Sequence, residues 1–299
     1  MDANRVINKD LNKSKQAFTL IELSVVLIIV ATILSGIIYG DGLVYSARVA
    51  NSKAITGKSV VREMEGLVAW YEASLKDSIN EQAKDAQITE WRDMNPSSIA
   101  SRRNSLTKTA SAGMIRKYSG IKEMGSMSFN GSDRISLTSF QQGSTAQVTA
   151  FLVFRPLVAP TATARIILDS HSSGLTSSIG IKNNAVSLNA GFAVDTATGS
   201  SPASFLVDQD YILAVYFNGA SSSSAYVNNA TILAGASNVS NPGSNQLSGL
   251  TIGSDRSGSN GFNGWISEVI IFNRPLKLQE RKDVMSYLSN KYQISVSGI

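Results

Sequence analysis

The sequence predicts a mainly β protein: one long N-terminal transmembrane-type helix, a single β-sandwich, and a closing helix. Three observations lead there. Residues 18–39 form one apolar run in which Glu22 is the only charge. From Gly66 onward, short runs rich in β-branched and aromatic residues recur between turn residues, without interleaved helical patterns. In the last element, Pro275–Tyr292, residues Leu278, Val284, Met285, Leu288 and Tyr292 can share a face against a sheet, and Pro275 suits a first helical turn.

The N-terminus carries the sharpest signal. Residues 1–17 (MDANRVINKDLNKSKQA) are polar and basic. The 22 residues that follow, at about 1.5 Å each, reach about 33 Å as a helix, enough to cross a hydrocarbon core. The basic flank is expected to stay cytoplasmic, with everything after Tyr39 on the far side. A secretory signal places its small-residue cleavage site after the apolar run, whereas here the polar-to-apolar junction precedes it. A carboxylate in this setting is costly without a partner, so Glu22 asks for one.

The stretch Lys15-Gln-Ala-Phe-Thr-Leu-Ile-Glu-Leu-Ser-Val-Val-Leu resembles the prepilin signature of type IV pilins and type II secretion pseudopilins. The resemblance implies that a prepilin peptidase cuts between Ala17 and Phe18 and that Phe18 is then methylated. It also implies that Glu22 meets the N-terminal amine of a neighbouring subunit on assembly. Ala17 departs from the glycine usual before the cut, which implies slower processing.

Gly36 and Gly40-Asp41-Gly42 mark a weak spot in the helix, with helicity expected to resume over Leu43–Glu65, where Val44, Ala47, Ala50 and Ala54 recur at helical spacing. The expected domains are a leader (1–17), a pilin-type transmembrane and stalk helix (18–65), and a sandwich (66–299).

Strands are expected at Gly66–Ser74 and Ile88–Asp93, followed by a Ser/Arg-rich connection over 96–111. Further strands are expected at Ser126–Phe129, Arg134–Leu137, Gln147–Pro156, Arg165–Ser170, Ile179–Lys182, Ala185–Gly191, Tyr211–Asn218, Ser224–Asn228, Thr231–Ala234, Leu250–Gly253 and Trp265–Asn273. Asn-Gly at 130–131 and 218–219 and Asn228-Asn229 suit tight turns. The runs VTAFLVF and YILAVYF are apolar on both alternating faces, which predicts central strands of stacked layers. Residues Gly66-LVAWYEAS, Ile88-TEWRD, Met127-SFNGSDRISL and Gly264-WISEVIIFNRPL resemble the laminin-G-like/concanavalin A-like jelly roll, over about residues 66–295. That resemblance implies a fold; such sandwiches serve sugar binding, protein adhesion and scaffolding alike.

Composition excludes several chemistries. The formal charge is +5. Residues 1–17 hold Arg5, Lys9, Lys13 and Lys15 against Asp2 and Asp10, so their removal leaves +3 with no basic run behind it, and nucleic acid is not an expected partner. There is no cysteine, and His171 is the single histidine, so thiol catalysis and a His-rich metal site are ruled out. A glycosidase needs two neighbouring carboxylates, and within the strong C-terminal strand Glu268 stands alone. No enzyme is expected. Laminin-G-like domains often hold calcium with loop oxygens, and by that resemblance Asp169, Asp255 and Asn260 are the candidate ligands, with the Gly-rich stretch 253–264 as a binding rim or a plain hairpin connection. Tyr226 and Phe262 are candidates for stacking on a sugar, while Trp70, Trp91 and Trp265 are expected in the core.

The function these readings imply is a minor or specialised type IV pilin in the bacterial inner membrane, displaying a sandwich on a cell-surface pilus to contact a glycan or protein. Its partners are prepilin peptidase, other pilin subunits and the membrane. The alternatives are a type II secretion pseudopilin in a periplasmic pseudopilus and a membrane-anchored lectin-like module that does not polymerise.

Overall fold

A computed structural model describes residues 19–80, 86–96, 103–108, 113–158, 165–170, 178–181, 205–219, 223–231 and 246–299, without the side chains of 37–39, 41 and 178–181. The expected strand at Ala185–Gly191, most of that at Thr231–Ala234, and His171 lie outside the described residues. The chain divides into two compact units, Met1–Ala47 and Arg48–Ile299.

Helix α1 runs Leu20–Gly57 without a break. The expected weak spot does not interrupt it: a Cβ at Gly36, Gly40 or Gly42 would meet nothing within 4 Å, so each glycine costs only its propensity, about 1 kcal/mol. Gly57 ends the helix, and Ser59 accepts the Val61 N–H (3.2 Å) to start a short 3-10 turn over Val60–Arg62, where the expected stalk would have continued to Glu65.

The strands are β1 (Leu67–Glu72), β2 (Glu90–Trp91), β3 (Leu106–Lys108), β4 (Ile115–Lys117), β5 (Ser126–Asn130), β6 (Ile135–Leu137), β7 (Gln147–Pro156), β8 (Arg165–Asp169), β9 (Ser178–Ile181), β10 (Tyr211–Asn218), β11 (Ser224–Val227), β12 (Leu250–Ile252) and β13 (Asn263–Phe272). Helix α2 covers Leu278–Tyr292, starting three residues later than expected. Its first turn is held by Glu280, which accepts the Lys277 N–H (2.7 Å) and a bidentate pair of bonds from Arg274.

One sheet has the order β11-β10-β7-β13-β5-β4, with β1 also paired to β13; the second has the order β2-β3-β6-β12-β8-β9. Every strand pair is antiparallel. The two-faced runs are explained by layering. Along β7, Val148, Ala150, Leu152 and Phe154 point into the core between the sheets. Phe151 and Val153 point the other way, into a second core with Val284, Met285 and Leu288 of α2. The first sheet is thus buried on both faces, as its composition predicted.

Two bulges set which residues face α2. The pairing of β1 with β13 shifts between Leu67 and Ala69, and that of β13 with β7 shifts between Ile266 and Glu268. As a result Ile266 and Val269 share the inter-sheet core, and Ile270 and Phe272 share the α2 side with Glu268.

In the inter-sheet core Phe154 meets three aromatic rings, its own lying 5.0 Å from Phe205, 5.7 Å from Tyr211 and 6.2 Å from Phe262. Replacing it with alanine is expected to lower stability by about 3–5 kcal/mol, read as an earlier urea midpoint with an unchanged slope.

Candidate functional site

The first turn of α1 holds the residue on which assembly was expected to depend. Ala17 and Phe18 lie outside the described residues. Thr19-Leu-Ile-Glu22 forms a reciprocal capping box: Glu22 Oε2 accepts the Thr19 N–H (2.9 Å) and hydroxyl (2.8 Å), and Thr19 Oγ1 accepts the Glu22 N–H (3.3 Å). A first-turn carboxylate also complements the positive end of the helix dipole. Among the described residues, no hydrogen bond reaches Glu22 Oε1.

Behind Glu22, every large apolar side chain from Leu20 to Leu34 is exposed, Leu20 at 88% and Ile21 at 73%. The helix is apolar all round, a pattern found where other helices or lipid complete the burial. No helix among the described residues is long and apolar enough to cross a membrane, so the expected crossing by residues 18–39 is not reproduced by the described stretch.

The expected calcium rim has a different construction. Asp169, at the end of β8, is buried, and its carboxylate accepts the Arg256 backbone N–H (2.9 Å), Nε (3.2 Å) and Nη2 (3.3 Å). Burial pushes this carboxyl up to about 6 against the lowering effect of Arg256. Asp255 turns inward on its own loop, accepting from the Ser257 hydroxyl (2.6 Å), the Ser259 N–H (2.8 Å) and the Asn260 amide (2.9 Å). The three candidates therefore do not converge on a cation: Asp169 faces a guanidinium, and Asn260 presents its N–H₂ to Asp255. Among the described residues, no three His, Cys, Asp or Glu side chains gather as metal ligands.

The two stacking candidates are also corrected. Phe262 has no exposed surface and belongs to the inter-sheet core. Tyr226 is partly buried, and the Arg281 guanidinium covers its ring at 3.8 Å from the centroid. Trp70 and Trp91 are fully buried as expected, whereas Trp265 is half-buried beneath Arg155 at 5.0 Å. A polar cleft of about 560 Å³ lies between Ser144–Gln147, Asn218, Gly219 and Asn273, offering hydroxyl and amide groups that suit sugar hydroxyls or a peptide backbone.

Sequence reasoning missed a buried polar cluster. Glu268 does not stand alone: Glu72 of β1 pairs directly opposite it. Lys291 of α2 lies between the two, with Nζ 2.7 Å from Glu268 Oε2 and in direct contact with Glu72 Oε1. All three side chains are fully buried. Glu268 also accepts from Trp70 Nε1 (2.7 Å) and the hydroxyls of Tyr287 and Tyr292 (both 2.8 Å). Glu72 accepts from Ser52 (3.2 Å) and Thr56 (2.9 Å) of α1 and from Ser74. Burial holds the Glu268 carboxyl above its ordinary range, and Lys291 opposes that shift. The one sequence signal was the lysine on the apolar face of α2 at the position one turn beyond Tyr287. Two adjacent carboxylates resemble a glycosidase pair on paper, but no solvent or substrate reaches these.

Over residues 129–280 the sequence matches the family described as the concanavalin A-like lectin/glucanases superfamily, a laminin-G-type domain. Over residues 12–38 it matches the prokaryotic N-terminal methylation motif. The first match takes in half of the chain, and the chain belongs to that superfamily. A pilin-type N-terminus is thus joined to a lectin-type sandwich in one polypeptide. No curated protein matches the sequence.

Among solved structures, domain 4 of AbnA, an extracellular arabinanase of Geobacillus stearothermophilus solved with arabinotriose, is 15% identical at a TM-score of 0.49, covering 73% of this chain and 97% of that one. A Trypanosoma rangeli sialidase is 18% identical at 0.48, covering 78% of this chain and 34% of that one. The binding domain of Paraclostridial Mosquitocidal Protein 1 is 12% identical at 0.49, covering 77% and 53%. Likenesses this distant do not bear on what this chain binds or does.

Two outcomes follow from the rim. With the folded Asp169 carboxyl near 6 against an ordinary value of 3.8, the folded state holds its proton more tightly than the unfolded state does. Its stabilising contribution is therefore full below about pH 4 and is lost as pH rises through about 6, and D169N should flatten that part of a urea-midpoint profile. Calcium in millimolar excess, compared with chelator, should leave the thermal midpoint unchanged, because the rim carboxylates already have donors.

Proposed function

We propose that this chain is a pilin-like structural subunit, a minor or specialised type IV pilin, that displays its sandwich for adhesion or partner binding. Residues 1–17 act as the leader, prepilin peptidase cuts between Ala17 and Phe18, and Phe18 is methylated. Residues 18–65 are the assembling segment, helical as far as Gly57, and 66–299 the displayed domain, held first in the bacterial inner membrane and then in a surface filament.

The observation that carries this reading is the apolar rod behind Glu22, in register with the methylation motif. Fully covering a Leu, Ile or Val contributes about 1.5–3 kcal/mol, so a rod whose large apolar side chains are all exposed favours packing against sister helices and lipid. Glu22 adds direction. Its Oε2 is occupied by Thr19, and Oε1 remains to accept the freed amine of a neighbouring Phe18. A carboxylate in an apolar bundle is then neutralised only when a second subunit docks.

The displayed domain acts without catalysis in this reading. Its carboxylate pair is sealed, and the polar cleft at Gln147, Asn218 and Asn273 is the place for a glycan or peptide contact.

In cells with the pilus machinery, E22A should be cut after Ala17 and fold as wild type, but its recovery in sheared filaments should fall about tenfold or more, as for a contact worth at least about 1.4 kcal/mol. Immunoblots of sheared filaments and mass spectrometry of the N-terminus read both outcomes. Residues 1–17 still attached to the wild-type protein, or undiminished E22A in filaments, would overturn the proposal in favour of a tethered lectin-like module.

A further inference from the structure

We propose that the Glu72–Lys291–Glu268 cluster is a self-modification site, in which Lys291 Nζ forms an amide bond with the side-chain carboxyl of Glu72 and Glu268 carries the proton. The reacting groups are already in contact. Nζ touches Glu72 Oε1, and both side chains have no solvent exposure. Their backbones are held by the antiparallel register of β1 with β13 and by the packing of α2 in the second core, so the encounter needs no search.

Two acids and one amine share a sealed pocket, so one acid must hold a proton if the cluster is to be neutral. Burial raises the Glu268 carboxyl, which makes it the acid that holds one. The reaction starts from the form in which the Lys291 ammonium has passed a proton to the touching Glu72 carboxylate, a transfer that leaves the net charge of the sealed cluster unchanged.

Amide formation then balances without any added reagent. The Nζ lone pair attacks Glu72 Cδ, forming the N–C bond. Glu268 Oε2, 2.7 Å from Nζ, accepts the proton that nitrogen loses. The Glu268 carboxylic acid supplies a proton to the departing Glu72 hydroxyl, the C–O bond breaks, and one water leaves. Glu268 ends as it began. Trp70 Nε1 and the Tyr287 and Tyr292 hydroxyls fix Glu268 for this relay, and Thr56, Ser52 and Ser74 orient Glu72. The product would join β1, close to the end of α1, covalently to α2.

The test is peptide mass spectrometry on the full-length protein, reduced to fragments by trypsin after denaturation. The expected result is a branched peptide containing Glu72 and Lys291, lighter by one water than its two parts, with no cleavage after Lys291. E268Q and K291R, each checked for folding by circular dichroism, should give the two peptides separately. Wild-type protein that yields Glu72 and Lys291 in separate, unmodified peptides would overturn the proposal, whatever the variants do. A folded E268Q that still carries the branched peptide would overturn the role given to Glu268.

Discussion

Lys291 Nζ sits between the carboxylates of Glu72 and Glu268, and four separate parts of the Arg48–Ile299 unit meet on that contact. The last turns of α1 supply Ser52 and Thr56, β1 supplies Trp70 and Glu72, β13 supplies Glu268, and α2 supplies Tyr287, Lys291 and Tyr292. Stripping water from each ion costs several kcal/mol, so such a group is tolerated only when its lone pairs and protons are all met. Here they are, by hydroxyls, an indole N–H and an ammonium. The cluster therefore specifies geometry more than it adds stability: β1 must lie opposite β13, and α2 must cross both at one position. The two bulges serve this, because without them Glu268 would share the inter-sheet core with Ile266.

The same layering decides what the sandwich can offer a ligand. Its first sheet is closed on one face by the second sheet and on the other by α2, so neither broad face is free for a sugar. What that sheet leaves to a ligand, among the described residues, are its loops and edges. The loop carrying Asp255 uses its polar groups on itself, and Gly258 at φ +86° leaves room there for Arg134, whose Nη1 a Cβ would meet at 1.9 Å. The hydroxyl and amide groups about Gln147 and Asn218 lie at the opposite ends of β7 and β10 from Phe154 and Tyr211, where Gln147 Nε2 donates to Asn218 Oδ1 (3.0 Å) along the wall of the polar cleft.

Legibility followed the range of the interactions. The strands Gln147–Pro156 and Tyr211–Asn218 were readable to the residue, because a run buried on both sides is apolar at every position and its ends are marked by Pro and Asn-Gly. The three-residue strands β3 and β4 were not, since Leu106-Thr-Lys and Ile115-Arg-Lys are too short for alternation to show. Ile88–Asp93 shrank to Glu90–Trp91, because Asp93 instead accepts backbone N–H groups from Trp70, Asn95 and Asn104. At the N-terminus the Thr-x-x-Glu spacing is present in the sequence, but the cost of an acid in lipid and its partner in assembly dominate its reading, and the capping role shows only in the structure.

By itself the sequence determined the polar character of residues 1–17, the apolar rod, the methylation motif, the two-faced strands and the closing helix, since each is written in residues a few positions apart. Only the tertiary structure decided the partners of Glu268, the guanidinium on Asp169, the burial of Phe262 and the arginine over Tyr226. Those outcomes join residues up to 198 positions apart, as Trp70 and Glu268 are, through sheet register and bulges. A shift of one residue in either strand would turn the same side chains to the other face, and no local pattern encodes that choice.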